Sequence, residues 1–297
     1  VKEGTRFTVG LIQMAPTADV DANLQRAAYL VAKAADEGAS LVCLPELFRS
    51  QYFCQSENAR LFDLAEPVPG PSTQTLSGIA ALKKVTVIVP VFERRTPGVY
   101  HNSAAVIGAN GETLGLYRKM HIPDDPGYYE KFYFTPGDLG YQAFDTPAGR
   151  IGTLICWDQW FPEAARLTVL RGAGVLFYPT AIGWHPREKA EFGAGQKDAW
   201  VTIQRSHAIA NGVYVAAVNR VGLERPVGGD GIEFWGSTFL ADPFGQVVAS
   251  ARTDGEEIIL GEIDLDRVEE VRRSWPFLRD RRIDSYQGLD KRFLQGQ

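Results

Sequence analysis

The chain has 297 residues, 45% of them hydrophobic, and a formal net charge of -5, which is enough apolar material for one large core near the upper size of a single domain. The negative balance, without any extended run of Lys or Arg, excludes the electrostatic footprint of a nucleic-acid binder. No apolar run reaches the length of a membrane span, so no membrane partner is expected.

The opening residues Val1 to Arg6 lack the apolar core of a signal peptide, and a cytoplasmic protein is expected. Phe7 to Gln13 is a β-rich run, followed by Val20 to Ala35 with apolar residues at helical spacing behind the caps Asp19 and Asp21. Ser40 to Leu44 reads as a second strand stopped at Pro45-Glu46, Thr73 to Lys84 as a helix, and Val85 to Phe92 as a strand. Asn102 to Gly108 and Thr113 to Lys119, joined by an Asn110-Gly111 turn, form a hairpin pattern. Regularity then lapses over His121 to Gly140, a Pro-, Gly-, Asp- and Tyr-rich stretch too long for a simple connection.

The second half repeats the alternation. Strand Arg150 to Ile155, helix Phe161 to Arg171, strand Val175 to Pro179, helix Lys197 to Ala210 and strand Val213 to Asn219 follow in turn. Phe234 to Leu240, Gln246 to Ala251 and Ile258 to Ile263 make a strand-rich end, and Glu269 to Trp275 begins a polar helix. Sheets this rich in Val, Ile and Leu need both faces covered, which predicts an α/β fold, an α-β-β-α sandwich of two mixed sheets with outer helices. Residues 1–297 are expected to form one domain. The aromatic tail within 265–297, with Trp275, Phe277, Leu278, Tyr286 and Phe293, is a candidate for subunit contacts.

Three residues sit where apolar strands stop: Glu46, Lys119 and Cys156. In an open α/β sheet the loops beyond the carboxyl ends of strands form the usual binding crevice, so these distant residues can converge. Individually they read as a turn carboxylate, a surface amine and a buried core thiol. Together they are a base, an ammonium to stabilise negative charge, and a nucleophile. Three cysteines, Cys43, Cys54 and Cys156, are an odd count that reads as reduced thiols rather than a disulfide framework. The four histidines, at 101, 121, 185 and 207, have no metal-ligand spacing, and neither a metal nor a cofactor is expected.

The motifs Leu44-Pro-Glu-Leu-Phe48, Tyr117-Arg-Lys-Met-His-Ile-Pro123 and Ile155-Cys-Trp-Asp-Gln-Trp-Phe-Pro-Glu163 resemble, in order, the three signatures of the carbon-nitrogen hydrolases of the nitrilase superfamily. Phe177 to Gly183, Gln204 to Asn211 and Gly236 to Gly245 extend the resemblance over nearly the whole chain. It implies a cysteine hydrolase with Glu46 as general base, Lys119 as charge stabiliser, Cys156 as nucleophile, and Glu130 as a second glutamate near the lysine; the free N–H of Trp157 at the helix start is expected to join Lys119 as an oxyanion donor. It also implies pairing of subunits, as a homodimer or higher homo-oligomer, through the helix after the nucleophile and the C-terminal segment. Within the superfamily, Gln51 to Gln55, Pro123 to Phe134 and Cys156 to Trp160 are most similar to the N-carbamoylputrescine amidases, which open a ureido group on a diamine in polyamine biosynthesis.

Charge supports a small cationic ureido substrate. An ammonium calls for carboxylates, whereas related amidases acting on carbamoyl amino acids carry arginines shortly after the cysteine, and here Trp157-Asp158-Gln159-Trp160 stands instead. Asp124, Asp125, Glu130 and Asp158 are candidate cation partners; Tyr52, Trp157 and Trp184 can line the methylene stem, and Thr180 completes the candidate pocket. Alternatives are another carbamoyl amine, a β-ureido acid, an aliphatic amide or nitrile, or an inactive polyamine-binding protein. Asp158 equally reads as a cap on the following helix, and the stretch Gly183 to Ala194 is unlike the related sequences.

Overall fold

A computed structural model describes residues 6–226 and 228–294; the opening segment Val1 to Thr5 and the end of the tail lie outside the described residues. The first half runs β1 (Arg6–Gln13), α1 (Val20–Asp36), β2 (Leu41–Cys43), α2 (Pro71–Lys83), β3 (Thr86–Thr96), β4 (Val99–Ile107) and β5 (Thr113–Arg118). A short helix α3 (Glu130–Tyr133) lies in the irregular stretch. The second half runs β6 (Phe144–Thr146), β7 (Gly149–Thr153), α4 (Pro162–Leu170), β8 (Val175–Thr180), β9 (Gly183–Trp184), α5 (Lys189–Asn211) and β10 (Tyr214–Asn219). It ends with β11 (Val221–Glu224), β12 (Ile232–Trp235), β13 (Phe239–Ala241), β14 (Val247–Ser250), β15 (Glu257–Asp264) and α6 (Leu265–Ser274).

Two six-stranded mixed sheets result, in the orders β15-β1-β2-β3-β4-β5 and β14-β13-β10-β8-β7-β6. Each half contributes a parallel triplet, β1-β2-β3 and β7-β8-β10, extended by antiparallel strands. Alternation along the strands separates the layers. Leu11, Cys43 and Ile88 share a core with Phe177, Ala216 and Leu240 of the second sheet, whereas Val42, Val87 and Val89 pack with Leu24 and Val31 of α1 and Leu76 of α2. On the other side Ala164 and Val169 of α4 and Trp200 and Ala208 of α5 cover the second sheet. The molecule is thus the α-β-β-α sandwich that the hydrophobic pattern predicts.

Local chemistry explains the boundaries. Asp19 caps α1 by accepting from the N–H groups of Asp21 and Ala22, and Pro71 opens α2 where its missing N–H costs nothing. Gly152 lets α4 approach β7, since a Cβ there would lie 2.2 Å from Thr168 Cγ2.

The structure corrects three expectations. The single strand Phe234 to Leu240 is two strands in different sheets, because Gly236 (φ 55°) and Ser237 (φ 56°) are left-handed and turn the chain between β12 and β13. The helix expected from Lys197 begins at Lys189; its first turns have the exposed Phe192 and the glycines 193 and 195 in place of an apolar stripe. The hairpin of Asn102 to Lys119 is the outer part of a meander with β3. A third, three-stranded sheet, β11-β12-β9, was not legible in the pattern. Among the described residues no helix is long and apolar enough to cross a membrane.

Candidate active site

Lys119 follows β5, which lies two antiparallel steps from β3 and therefore runs the same way as β2, the strand that leads to Glu46. The two side chains emerge at one edge of the first sheet. Both are fully buried, and Lys119 Nζ donates to Glu46 Oε1 (2.8 Å) and to Glu130 Oε2 (2.6 Å). Asn102 Nδ2 also donates to Glu46 Oε1 (2.7 Å). Glu46 Oε2 is buried with no partner among the described residues, which makes it the atom free to take a proton.

Glu130, at the start of α3, receives the Tyr52 hydroxyl on its other oxygen (2.6 Å). Behind them Arg220, completely buried, donates to the carbonyls of Glu46 (2.8 Å), Leu47 (2.9 Å) and Ser50 (3.2 Å) and to the Glu224 carboxylate (2.8 Å). That guanidinium holds the turn after Glu46, where Leu47 is left-handed (φ 49°). The sequence offers no signal for this role beyond an arginine at a strand end.

Cys156 comes from the second sheet. It follows β7 and opens a 3-10 helix, Cys156–Trp160, with φ 40°, a conformation that costs a side-chain-bearing residue roughly 1–2 kcal/mol and persists only where its surroundings impose it. Its Sγ lies 3.7 Å from the carbonyl oxygen of Ala181. Burial first, and then the charge of Glu46, push the thiol well above its ordinary range, with Lys119 opposing them. The resting sulfur therefore carries its proton. Burial pulls on Lys119 in the opposite sense, but Glu130 and Glu46 outweigh it and hold the ammonium charged. Glu130 is pushed up to about 7, chiefly by burial and against the pull of Lys119.

Cys156 opens into a cavity of about 540 Å³. Asp125 and Trp157 line it, as do Tyr128, Gln159, Trp160, His185, Arg187, Glu188, Gln196 and Trp235, none of which is among the pocket residues expected from the sequence. Tyr52 packs behind the site against Tyr128 and Phe234, and Asp124 is exposed; neither lines this cavity. Thr180 is buried, donating to Gln159 Oε1 and the Tyr178 carbonyl. Trp184 packs on Trp235, beneath the ammonium of Lys189.

Asp158 is buried under the turn. It accepts from the Tyr117 hydroxyl (2.7 Å), the N–H groups of Ile155 and His121 (both 3.0 Å), and pairs with the His121 ring (2.7 Å). The capping interpretation fits this geometry, because the Ile155 N–H bond closes the start of the 3-10 helix. Asp158→Ala is expected to destabilise the fold by about 3 kcal/mol, the cost of orphaning several buried donors, with KM of the remaining folded enzyme little changed. Urea unfolding beside steady-state kinetics checks this; a large KM increase at unchanged stability would contradict it.

A thiol that opens into a cavity, with a carboxylate that has a free oxygen and a buried ammonium near enough to bias its charge, equips a cysteine hydrolase. The chain belongs to the carbon-nitrogen hydrolase family, whose model matches residues 8–273. It is 44% identical over 287 residues to the N-carbamoylputrescine amidase of Solanum lycopersicum, covering 95% of this chain and 94% of that one. It is 37% identical over 287 residues to the citrullinase of Francisella tularensis, covering 96% and 98%. The crystal structure of a carbon-nitrogen hydrolase from Helicobacter pylori G27 superposes with TM-score 0.94 at 48% identity, covering 97% of this chain and all of that one.

Proposed function

We propose that this chain hydrolyses the ureido C–N bond of N-carbamoylputrescine to putrescine, carbon dioxide and ammonia. The observation that carries the reading is the charge of the cavity. Its one arginine, Arg187, is paired with Asp230 (2.5 Å), and Lys189 beside it is paired with Glu233 (2.7 Å). Asp125 and Glu188 line the same cavity, and neither has a cationic partner among the described residues. Two such carboxylates suit a substrate with an ammonium at the end of an aliphatic stem, which Trp157 and Trp160 can flank.

In the reaction, the Cys156 proton passes to Glu46 Oε2 as sulfur bonds to the carbamoyl carbon. Lys119 and the Trp157 N–H stabilise the oxyanion, and Glu46 returns the proton to the departing nitrogen as its C–N bond breaks. Water then adds to the carbamoyl thioester with Glu46 as base, and the released carbamate decomposes to carbon dioxide and an amine or ammonia.

A ureido amino acid is a second reading, favoured by Trp160 Nε1 and Trp235 Nε1, two buried donors on residues of this cavity that lack acceptors among the described residues and would suit a carboxylate. Ammonia release from N-carbamoylputrescine, citrulline and N-carbamoyl-β-alanine separates the cases. The proposal expects kcat/KM at least about tenfold higher for the diamine, the factor that about 1.4 kcal/mol of ion pairing supplies. Preference for either carboxylate-bearing substrate overturns it.

Assembly belongs to the same proposal. Leu167 and Leu170 on α4, and Trp275, Phe277 and Phe293 in the tail, are exposed apolar side chains, which supports burial against a second copy. The three free thiols support a reducing, cytoplasmic setting.

A further inference from the structure

Gln159 stands three residues after Cys156 in the turn Cys156–Trp160, and both residues line the same cavity. Both side chains reach the end of β8: Gln159 Oε1 meets Thr180 Oγ1 (3.3 Å), and Cys156 Sγ meets the next carbonyl, that of Ala181. The orientation of the amide is fixed by chemistry. Trp200 Nε1 lies 2.8 Å from Oε1, and an indole nitrogen can only donate, so the atom it meets must be the oxygen. Gln204 Nε2 (2.9 Å) adds a second donor to the same oxygen, with the Thr180 hydroxyl, shared with the Tyr178 carbonyl, 3.3 Å away. The Nε2 group takes part in none of these bonds; it is buried and has no acceptor among the described residues, on a residue that is completely buried yet lines the cavity beside Cys156. An orphaned buried donor costs about 1–3 kcal/mol, a cost that a ligand acceptor would relieve.

We infer that Gln159 is a further catalytic residue, whose Nε2–H donates to the carbamoyl oxygen of the substrate and supplements Lys119 and the Trp157 N–H as the oxyanion forms. The inference rests on the ureido reading above, because the oxygen is the one good acceptor of a ureido head group, its nitrogens being delocalised into the carbonyl. Thr180, Trp200 and Gln204 are then positioning residues that aim the amide.

The test pairs Gln159→Met with the wild type on N-carbamoylputrescine and on its thiocarbamoyl analogue, in which sulfur replaces the oxygen and accepts hydrogen bonds poorly. Gln159→Met is expected to lower kcat on the oxygen substrate by about 100-fold, the effect of one oxyanion donor, with KM moving less than about threefold because the bond strengthens mainly in the transition state. On the thio substrate the loss should be less than about tenfold. Taking the ratio of the two substrates within one preparation cancels any loss of folded enzyme, and Gln204→Met, which loosens the aim and keeps the donor, should give an intermediate ratio. Equal losses on both substrates in Gln159→Met would overturn the inference while leaving the ureido reading intact. A wild type inert toward both substrates would overturn the ureido reading and this inference with it.

Discussion

Cys156→Ala is expected to lower turnover by at least about 10⁴-fold, the scale seen when a covalent nucleophile is removed from a site that otherwise remains, while the folded structure persists. The fold should tolerate the change because the sulfur makes one long contact, 3.7 Å to the Ala181 carbonyl, and carries no structural bond besides. The left-handed backbone at Cys156 disfavours alanine no more than cysteine. A more discriminating outcome concerns the thiol proton. Burial, together with the charge of Glu46, keeps the resting thiol protonated, so iodoacetamide should alkylate Cys156 slowly at pH 7 and faster as pH rises. Substrate turnover should not share that alkaline rise, because there Glu46 Oε2 receives the proton within the complex. Mass spectrometry of the labelled peptide alongside kcat at several pH values checks both. Near-normal turnover in Cys156→Ala would falsify the thioester route outright.

The positions of Glu46, Lys119 and Cys156 were legible because each terminates an apolar strand, and strand ends in an α/β sheet share an edge. Their partners were less so. Asn102 lies inside β4 between His101 and Ser103, a polar run that gives no hint that its amide reaches Glu46. Arg220 lies just beyond β10, and its three carbonyl acceptors are in a loop some 170 residues earlier. Aromatic residues were named as stem-lining groups, but an aromatic residue's sequence neighbours do not say which way it faces: Trp157 lines the cavity, Trp184 packs against Trp235, and Tyr128 and Trp160, each near a named residue, line it instead. Glu188 stands just before α5, whose first turns lack the apolar stripe that marks a helix in sequence. The break at Gly236-Ser237 was hidden by an unbroken run of strand-forming residues on either side, and a φ above zero at serine leaves no mark in hydrophobicity.

Lys119→Met is expected to be the second most damaging change, and its effect should depend on pH. The ammonium lies 2.8 Å from Glu46 and 2.6 Å from Glu130 with all three side chains fully buried, so its loss leaves two carboxylates facing each other out of water. Removing one partner from a buried ionic cluster costs about 3–5 kcal/mol, and losing an oxyanion donor should lower kcat by about 10²–10³-fold in the enzyme that remains folded. The sign of the pH dependence follows from which state binds protons more tightly. In the wild type, Lys119 is held above its ordinary value, so its contribution to stability is complete at neutral pH and declines only above the unfolded lysine range, as pH rises through the folded value. Glu130, pushed up to about 7, binds its proton more tightly in the folded state, so between about 4.5 and 7 it makes the protein less stable as pH rises. Without the lysine that opposes it, this acid-side slope should steepen, because one carboxylate must then keep a proton for both to remain buried. Urea unfolding of wild type and Lys119→Met at pH 5 and pH 8 should therefore show the gap between them widening toward pH 8. A pH-independent gap would mean that the two carboxylates are not what the lysine balances.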